Sequence, residues 1–263
     1  MITLLGIPWD GSSSFQKGAA DAPPRIRAAL AFASGNPFNE RGDDVSAADV
    51  LVDAGDLTLP DDPAEARKAI EAGVRAIVEA SGRPLLLGGD HAITYPILRA
   101  FRDRGPLTIV HFDAHGDLYD EYEGDRFSHA CPFARIMDER LASRLIQVGI
   151  RTLTPHQREQ AERFGTEVFG AGRWREAIPA IANVRGPVYV SLDLDVLEPM
   201  LAPGLSHPEP GGLAVRDVLD ALAVLRAPVA GADVVEYNPR NDWRDLTARV
   251  AAKFVKELAG LMR

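Results

Sequence analysis

Leu107-Thr108-Ile109-Val110-His111-Phe112 runs straight into Asp113-Ala114-His115-Gly116-Asp117, and the reading of this junction decides the fold. The first six positions are continuous rather than alternating in polarity, as expected of a strand buried on both faces of a parallel sheet. Three potential metal ligands then follow at every second position. In extended chain, residues two apart point the same way, so Asp113, His115 and Asp117 present one row of ligands at the strand's end.

The same pattern recurs outward from this point. Thr3–Ile7, Val50–Asp53, Pro84–Leu87, Leu145–Val148, Val188–Leu192 and Val229–Val235 read as further buried strands. Between them, Pro24–Phe32, Pro63–Ala80, Ile93–Arg104, Pro132–Arg140, Pro155–Phe164, Val215–Leu225 and Asp245–Leu261 have helical patterning. Several carry proline near the first turn, where its missing amide costs nothing. Strand–helix alternation along the whole length predicts a three-layer α/β/α fold with a mainly parallel central sheet, in one domain over residues 1–263. Asp10–Pro24, Ser34–Asp44 and Pro199–Gly212, rich in Gly, Pro and Ser, read as loops.

Bulk composition removes several functional classes. A net charge of −9 over 263 residues argues against a phosphate-binding surface, so no nucleic-acid partner is expected. The single cysteine, Cys131, excludes an intrachain disulfide framework. It precedes a helix, where a depressed thiol pKa can arise, but with no base in view it reads as a small packed residue. No apolar run approaches the ~20 residues that span a bilayer, so no membrane partner is expected. Met1–Gly6 lacks a basic leader region, which makes the cytoplasm the expected location.

Four polar clusters end predicted strands, where α/β sheets place their ligands. They are Gly88-Gly89-Asp90-His91, Asp113-Ala114-His115-Gly116-Asp117, Ser191-Leu192-Asp193-Leu194-Asp195, and Glu236 after Val229–Val235. Gathering His91, Asp113, His115, Asp117, Asp193 and Asp195 without a counter-ion would cost several kcal/mol, in order of magnitude, from repulsion and desolvation. A pair of divalent cations removes that cost. Two imidazoles and four carboxylates form an oxygen-rich set without thiolate, which suits Mn²⁺, with Fe²⁺, Co²⁺ or Zn²⁺ as substitutes. Two such ions can activate a water for attack on carbon.

At these residues the chain resembles the ureohydrolase family of arginases, agmatinases and their guanidino- and formimino-hydrolysing relatives. The resemblance extends through Ala202-Pro203-Gly204, Asp233-Val234-Val235-Glu236-Tyr237-Asn238-Pro239 and the N-terminal Gly6-Ile7-Pro8, and so covers essentially the whole chain. Tyr122-Glu123-Gly124 and Ser128-His129-Ala130-Cys131-Pro132 bring it nearest to plant-type arginases and agmatinases. The resemblance implies an arginase-like fold, two Mn²⁺ per chain held by the six residues above, and a small guanidino substrate cleaved to urea and an amine. It also implies a homotrimer or homohexamer. In the family pattern Asp113 and Asp193 bridge the metals, Asp117 also holds the attacking water, His129 passes a proton to the leaving amine, and Glu236 pairs with the guanidinium. Physical chemistry supports the last two: an amine leaves only when protonated, and histidine titrates near neutrality. A carboxylate matches the planar cation bidentately.

The chain departs from the family pattern in places. Ala92 stands where many relatives have Ser, and Glu198 replaces an Asp in a position read as structural. His207 replaces Thr and is a candidate for the substrate pocket. Thr154 aligns with the acid that contacts the α-amino group in animal-type arginases. The loop that reads the α-carboxylate there becomes Tyr119–Phe127, with four acids: Asp120, Glu121, Glu123 and Asp125. An acidic loop repels a carboxylate, which points to an agmatine-like substrate ahead of L-arginine or another guanidino or formimino acid. Arg25/Arg27 and Arg99/Arg102/Arg104 read as solvated helix faces. A single-zinc amidohydrolase of the same fold is disfavoured by retention of both His91 and Asp117. A non-catalytic metal-binding oligomer would have no need of His129 and Glu236.

Overall fold

The computed structural model describes residues 1–33, 35–47, 50–105 and 107–263; Ser34, the first residue of the loop read as Ser34–Asp44, lies outside them. The described residues form strands β1 (Ile2–Gly6), β2 (Leu51–Asp56), β3 (Arg83–Leu87), β4 (Leu107–Phe112), β5 (Ala142–Ile150), β6 (Glu167–Gly170), β7 (Val188–Asp193) and β8 (Val229–Val235). They make one sheet in the order β2-β1-β3-β8-β7-β4-β5-β6, and every pairing is parallel. The predicted three-layer architecture is the one observed.

Parallel strands need crossovers, and helices provide them. They are α1 (Ala22–Leu30), α2 (Pro63–Glu79), α3 (Thr94–Arg99), α4 (Pro132–Asp138), α5 (Pro155–Phe164), α6 (Ile178–Ala182), α7 (Val215–Ala223) and α8 (Leu246–Leu261). Helix α2 shows why such segments are helical. Asp62 caps it by accepting from the amides of Ala64 and Glu65, Pro63 fills the first turn, and Ile70, Val74 and Val78 recur every fourth residue on the buried side. Burying each such side chain contributes about 1.5–3 kcal/mol.

The two faces of the sheet carry separate cores. Leu85, Leu87, Val110 and Phe112 meet α1 and α6–α8 through Ile26, Ile181, Leu222 and Phe254. Leu86, Ile109 and Tyr189 meet α2–α5 through Val74, Leu98, Phe133 and Ala161. Neighbouring residues of β3 and β4 thus serve opposite layers, which is why their sequences are apolar without alternation.

The structure corrects some expectations. Strand β2 is an edge strand whose residues from Val52 onward are exposed, so it is not buried on both faces. Its acids are engaged by α1: Arg27 pairs with Asp53 at 2.8 Å and Asp56 at 2.5 Å. Arg27 is therefore no free solvated residue, and its charge pairs blunt an otherwise open edge. Arg99 likewise pairs with Glu71 (2.7 Å) and Glu139 (3.3 Å), and Arg104 donates to the Val78 carbonyl. The segment Ile93–Arg104 is α-helical only over Thr94–Arg99, flanked by 3-10 turns, because Arg102-Asp103-Arg104 offers no apolar face to bury. Strand β6 and helix α6 were missing from the sequence reading; each is too short for its periodicity to register.

Candidate active site

Strands β3, β8, β7 and β4 are consecutive neighbours at the centre of the sheet. Their C-terminal ends carry His91, Glu236, Asp193 with Asp195, and the Asp113–Asp117 row. The topology therefore gathers four polar clusters spread over 146 positions (91 to 236). Beneath them lies a polar row: Gln147, His111, Ser191 and Asp233 are in mutual register across β5, β4, β7 and β8.

That row fixes the first donor set. Ser191 Oγ donates to Asp233 Oδ1 at 2.7 Å, so it accepts from His91 Nε2 at 2.9 Å. Thr94 and Tyr189 donate to the other oxygen of Asp233. His91 Nδ1 is then left buried without a hydrogen-bond partner, facing Asp113 Oδ2, Asp117 Oδ2 and Asp193 Oδ2, each at 3.1 Å. A nitrogen lone pair among three carboxylate oxygens is stable only around a cation. Burial lowers the His91 pKa, yet the close carboxylates of Asp113, Asp117 and Asp193 hold it well above its ordinary value. The pocket attracts positive charge.

A second set adjoins the first. His115 Nδ1 lies 2.9 Å from Asp195 Oδ2 and 3.5 Å from Asp113 Oδ1, so Asp113 offers one oxygen to each set. Gln147 donates to His111 Nδ1, and His111 Nε2 donates to Asp113 Oδ2 at 2.7 Å, which orients that carboxylate. Burial, then repulsion from Asp195 and Asp113, drives the Asp193 pKa well up; burial and Asp113 push Asp195 up to about 6. Cations would relieve this strain, and the donor chemistry fits a metal centre. In the second set, Asp113, His115 and Asp195 have ligand atoms close enough together to hold an ion.

A cavity of about 200 Å³ opens above, lined by His115, Asp117, His129, His207 and Glu236 among others. Glu236 Oε1 accepts from the His91 amide at 2.8 Å and from His129 Nδ1 at 3.2 Å, whereas Oε2 is buried without a partner. Burial pushes Glu236 up, but the His129 hydrogen bond and charge bring its pKa below the ordinary value. Burial likewise depresses His129, and Glu236 overrides it, raising it to about 9. Its Nε2 meets Ser14 Oγ at 2.9 Å. The backbone is strained at this level: Asp117 (φ 48°) and Glu236 (φ 63°) occupy the left-handed region, costing about 1–3 kcal/mol each. Gly89 allows the close approach that holds Glu236, whose amide bonds the Gly89 carbonyl at 2.8 Å. A Cβ on Gly89 would lie 1.7 Å from the Trp9 carbonyl oxygen.

The Tyr119–Phe127 loop lines the cavity with Tyr119 and Tyr122, not with its acids. Asp120 is pinned by Arg135, a buried arginine whose guanidinium also bonds the Asp120 carbonyl and Asp138. Asp125 accepts from the Phe127 amide. The loop's acids therefore do not line the cavity, contrary to the expected acidic mouth. Thr154 also lines the cavity, with its hydroxyl committed to a capping box with Gln157 at the start of α5. Glu198 accepts from the amides of Gly211 and Gly212, a structural role as expected. Burial raises the Cys131 thiol to about 12, opposite to the depression that its position before α4 allowed.

The structure brings together the nine candidate metal, catalytic and substrate-binding residues named from the sequence, His207 included. It adds His111, Gln147, Ser14 and the Asp233 relay, which sequence reasoning missed. The signal available was polar residues inside apolar strands, as in Leu107–Phe112. No helix of the described residues is long and apolar enough to cross a membrane.

Comparison with known proteins agrees with this architecture. The model of the "Arginase family" matches residues 1–260. Arginase 1, mitochondrial, of Arabidopsis thaliana is 46% identical over 273 residues, covering 98% of this chain and 80% of the relative. An agmatinase of Bacillus cereus is 33% identical, covering 98% and 90%. The solved arginase from Medicago truncatula superposes with a TM-score of 0.94 at 43% identity, covering 99% of this chain and 86% of its own. By sequence and fold, the chain belongs to the arginase family of hydrolases.

Proposed function

We propose that the protein cleaves the guanidino group of a small cationic substrate to urea and an amine, at a binuclear manganese centre. The observation that carries this reading is Glu236 Oε2: a buried, unpartnered carboxylate oxygen beside two cation-attracting donor sets. A planar guanidinium is the cation that such an oxygen fits. His91, Asp113, Asp117, Asp193, His115 and Asp195 would hold the metals. When bound, the pair supplies a water of lowered pKa as nucleophile. Glu236 orients the guanidinium carbon toward it, and Asp117 accepts a hydrogen bond from the attacking water. As the bond from carbon to the alkyl nitrogen breaks, His129, charged through its contact with Glu236, delivers a proton to the departing amine.

L-Arginine is the favoured substrate. The cavity mouth offers Tyr119, Tyr122, Thr152 and Gln157, neutral hydrogen-bonding groups compatible with both an α-amino and an α-carboxylate group. The 46% likeness to a plant arginase, against 33% to an agmatinase, supports the same choice. Agmatine is the second reading, supported by the 33% likeness to an agmatinase. Urea release measured side by side on arginine, agmatine, 4-guanidinobutyrate and 3-guanidinopropionate separates them. Turnover highest on arginine is expected; turnover confined to agmatine would overturn the choice of substrate, and no urea from any of them would overturn the activity. Assembly as a homotrimer or homohexamer belongs to the same reading, and light scattering checks it.

A further inference from the structure

We propose that His129, His207 and Glu236 form a third cation site in the cavity wall, one that takes zinc and, when filled, excludes the guanidino substrate. One ligand atom from each of the three residues lies within 4.8 Å of the others. None of them belongs to the six-residue set assigned to the metal pair. Both ring nitrogens of His207 and Oε2 of Glu236 are buried without hydrogen-bond partners, and Glu236 is only 4% exposed. Each unpartnered buried polar atom costs about 1–3 kcal/mol, and three side by side mark a place built for a ligand.

The donor chemistry says which ligand. Two imidazoles and one carboxylate with an open fourth direction make a set that zinc accepts, unlike the carboxylate-rich pair of sets next to it. The rings are held ready. Ser14 Oγ engages His129 Nε2 at 2.9 Å and the Ser12 carbonyl accepts from the His129 amide at 3.2 Å, which turns Nδ1 toward Glu236. The His207 ring packs against His129 at 4.7 Å and Phe15 at 5.8 Å between centroids. His207 offers two unpartnered ring nitrogens, and zinc would displace the proton that His129 Nδ1 donates to Glu236, releasing it to solvent. The open cavity gives the ion a route in and leaves room for water in the fourth position.

Exclusion of substrate rests on the proposed role of Glu236: one oxygen cannot both ligate zinc and pair with a guanidinium. The zinc site itself rests on geometry alone, so the two can fail separately. Manganese-loaded protein is titrated with zinc at constant manganese, passed through gel filtration, and both metals are counted by mass spectrometry. One added zinc per chain with manganese retained is expected. It should be lost in His207→Thr and in Glu236→Gln, each checked for folding and for manganese content. Zinc uptake matched by manganese loss overturns the site, as does an added zinc that persists in both variants, or no added zinc in the wild type. In the wild type, zinc should raise the KM for the guanidino substrate about tenfold or more while sparing kcat. A fall in kcat at constant KM would overturn the exclusion and leave the zinc count standing. Absence of urea from any guanidine would sink the hydrolase reading without touching the zinc count.

Discussion

Asp193 ends β7 and Glu236 directly follows its neighbour β8, yet their removal should have different consequences. Asp193→Ala takes an oxygen from the set around His91, and both bound manganese and urea formation should vanish together. Glu236→Gln keeps the bond to the His91 amide, so manganese should stay while turnover falls about 10²-fold or more; metal counting beside a urea assay checks both, and near-wild-type turnover in Glu236→Gln would remove the guanidinium role. His129 gives a pH signature. Burial pulls its pKa down, but Glu236 raises it to about 9 from an ordinary 6.5. The charged imidazole therefore stabilises the fold fully below pH ~6.5, and this contribution disappears as pH rises through about 9. The rate should fall over the same upper limb, and Glu236→Gln should move whatever activity remains toward a lower-pH limb; a pH profile of kcat for both proteins checks this. The six candidate ligands and Glu236 were legible in the sequence because each lies within a local motif at a strand end, whereas His129, in the loop before α4, was legible through the resemblance. His111 and Asp233 were not, since a polar residue inside a strand gains meaning only from its register with Gln147 and Ser191 on other strands.

Among elements, the Tyr119–Phe127 loop shows where sequence reading stops. Its four acids are plain in the sequence, but the direction of Asp120 depends on Arg135, one helix further on. The buried guanidinium holds the Asp120 carbonyl and carboxylate together with Asp138, and this leaves Tyr119 and Tyr122 facing the cavity. Arg135→Leu should destabilise the fold by about 2–3 kcal/mol through loss of charge-assisted hydrogen bonds, read from urea denaturation midpoints. The freed loop should also raise KM more than it lowers kcat, with manganese content unchanged. Element boundaries were legible where a cap or proline marked them, as at Pro63 and Pro155. They were lost where the segment was short, as in β6 and α6, or exposed, as along β2. There burial, the property that periodicity reports, is weak.

The whole molecule is one parallel sheet whose four central strands each end in part of the site. The strand–helix alternation made this architecture legible, whereas the order β3-β8-β7-β4 was not: it depends on which crossovers pass over which, and local periodicity carries no record of that. Because the folded state alone assembles the donor sets, metal binding should stabilise it by mass action, by about 2.7 kcal/mol at a hundredfold excess over Kd. Chelation should then lower Tm by roughly 5–10 °C for a chain of this size, and manganese should restore it; a Tm insensitive to chelation would count against a metal centre formed by folding. The distribution of these strands also has a consequence during protein synthesis. His91 leaves the ribosome long before Asp193 and Asp195, and β8, the strand that separates β3 from β7, comes later still. A partly translated chain thus offers no complete metal pocket, and capture of the ions must be one of the last events in its maturation, after almost the entire sheet has closed.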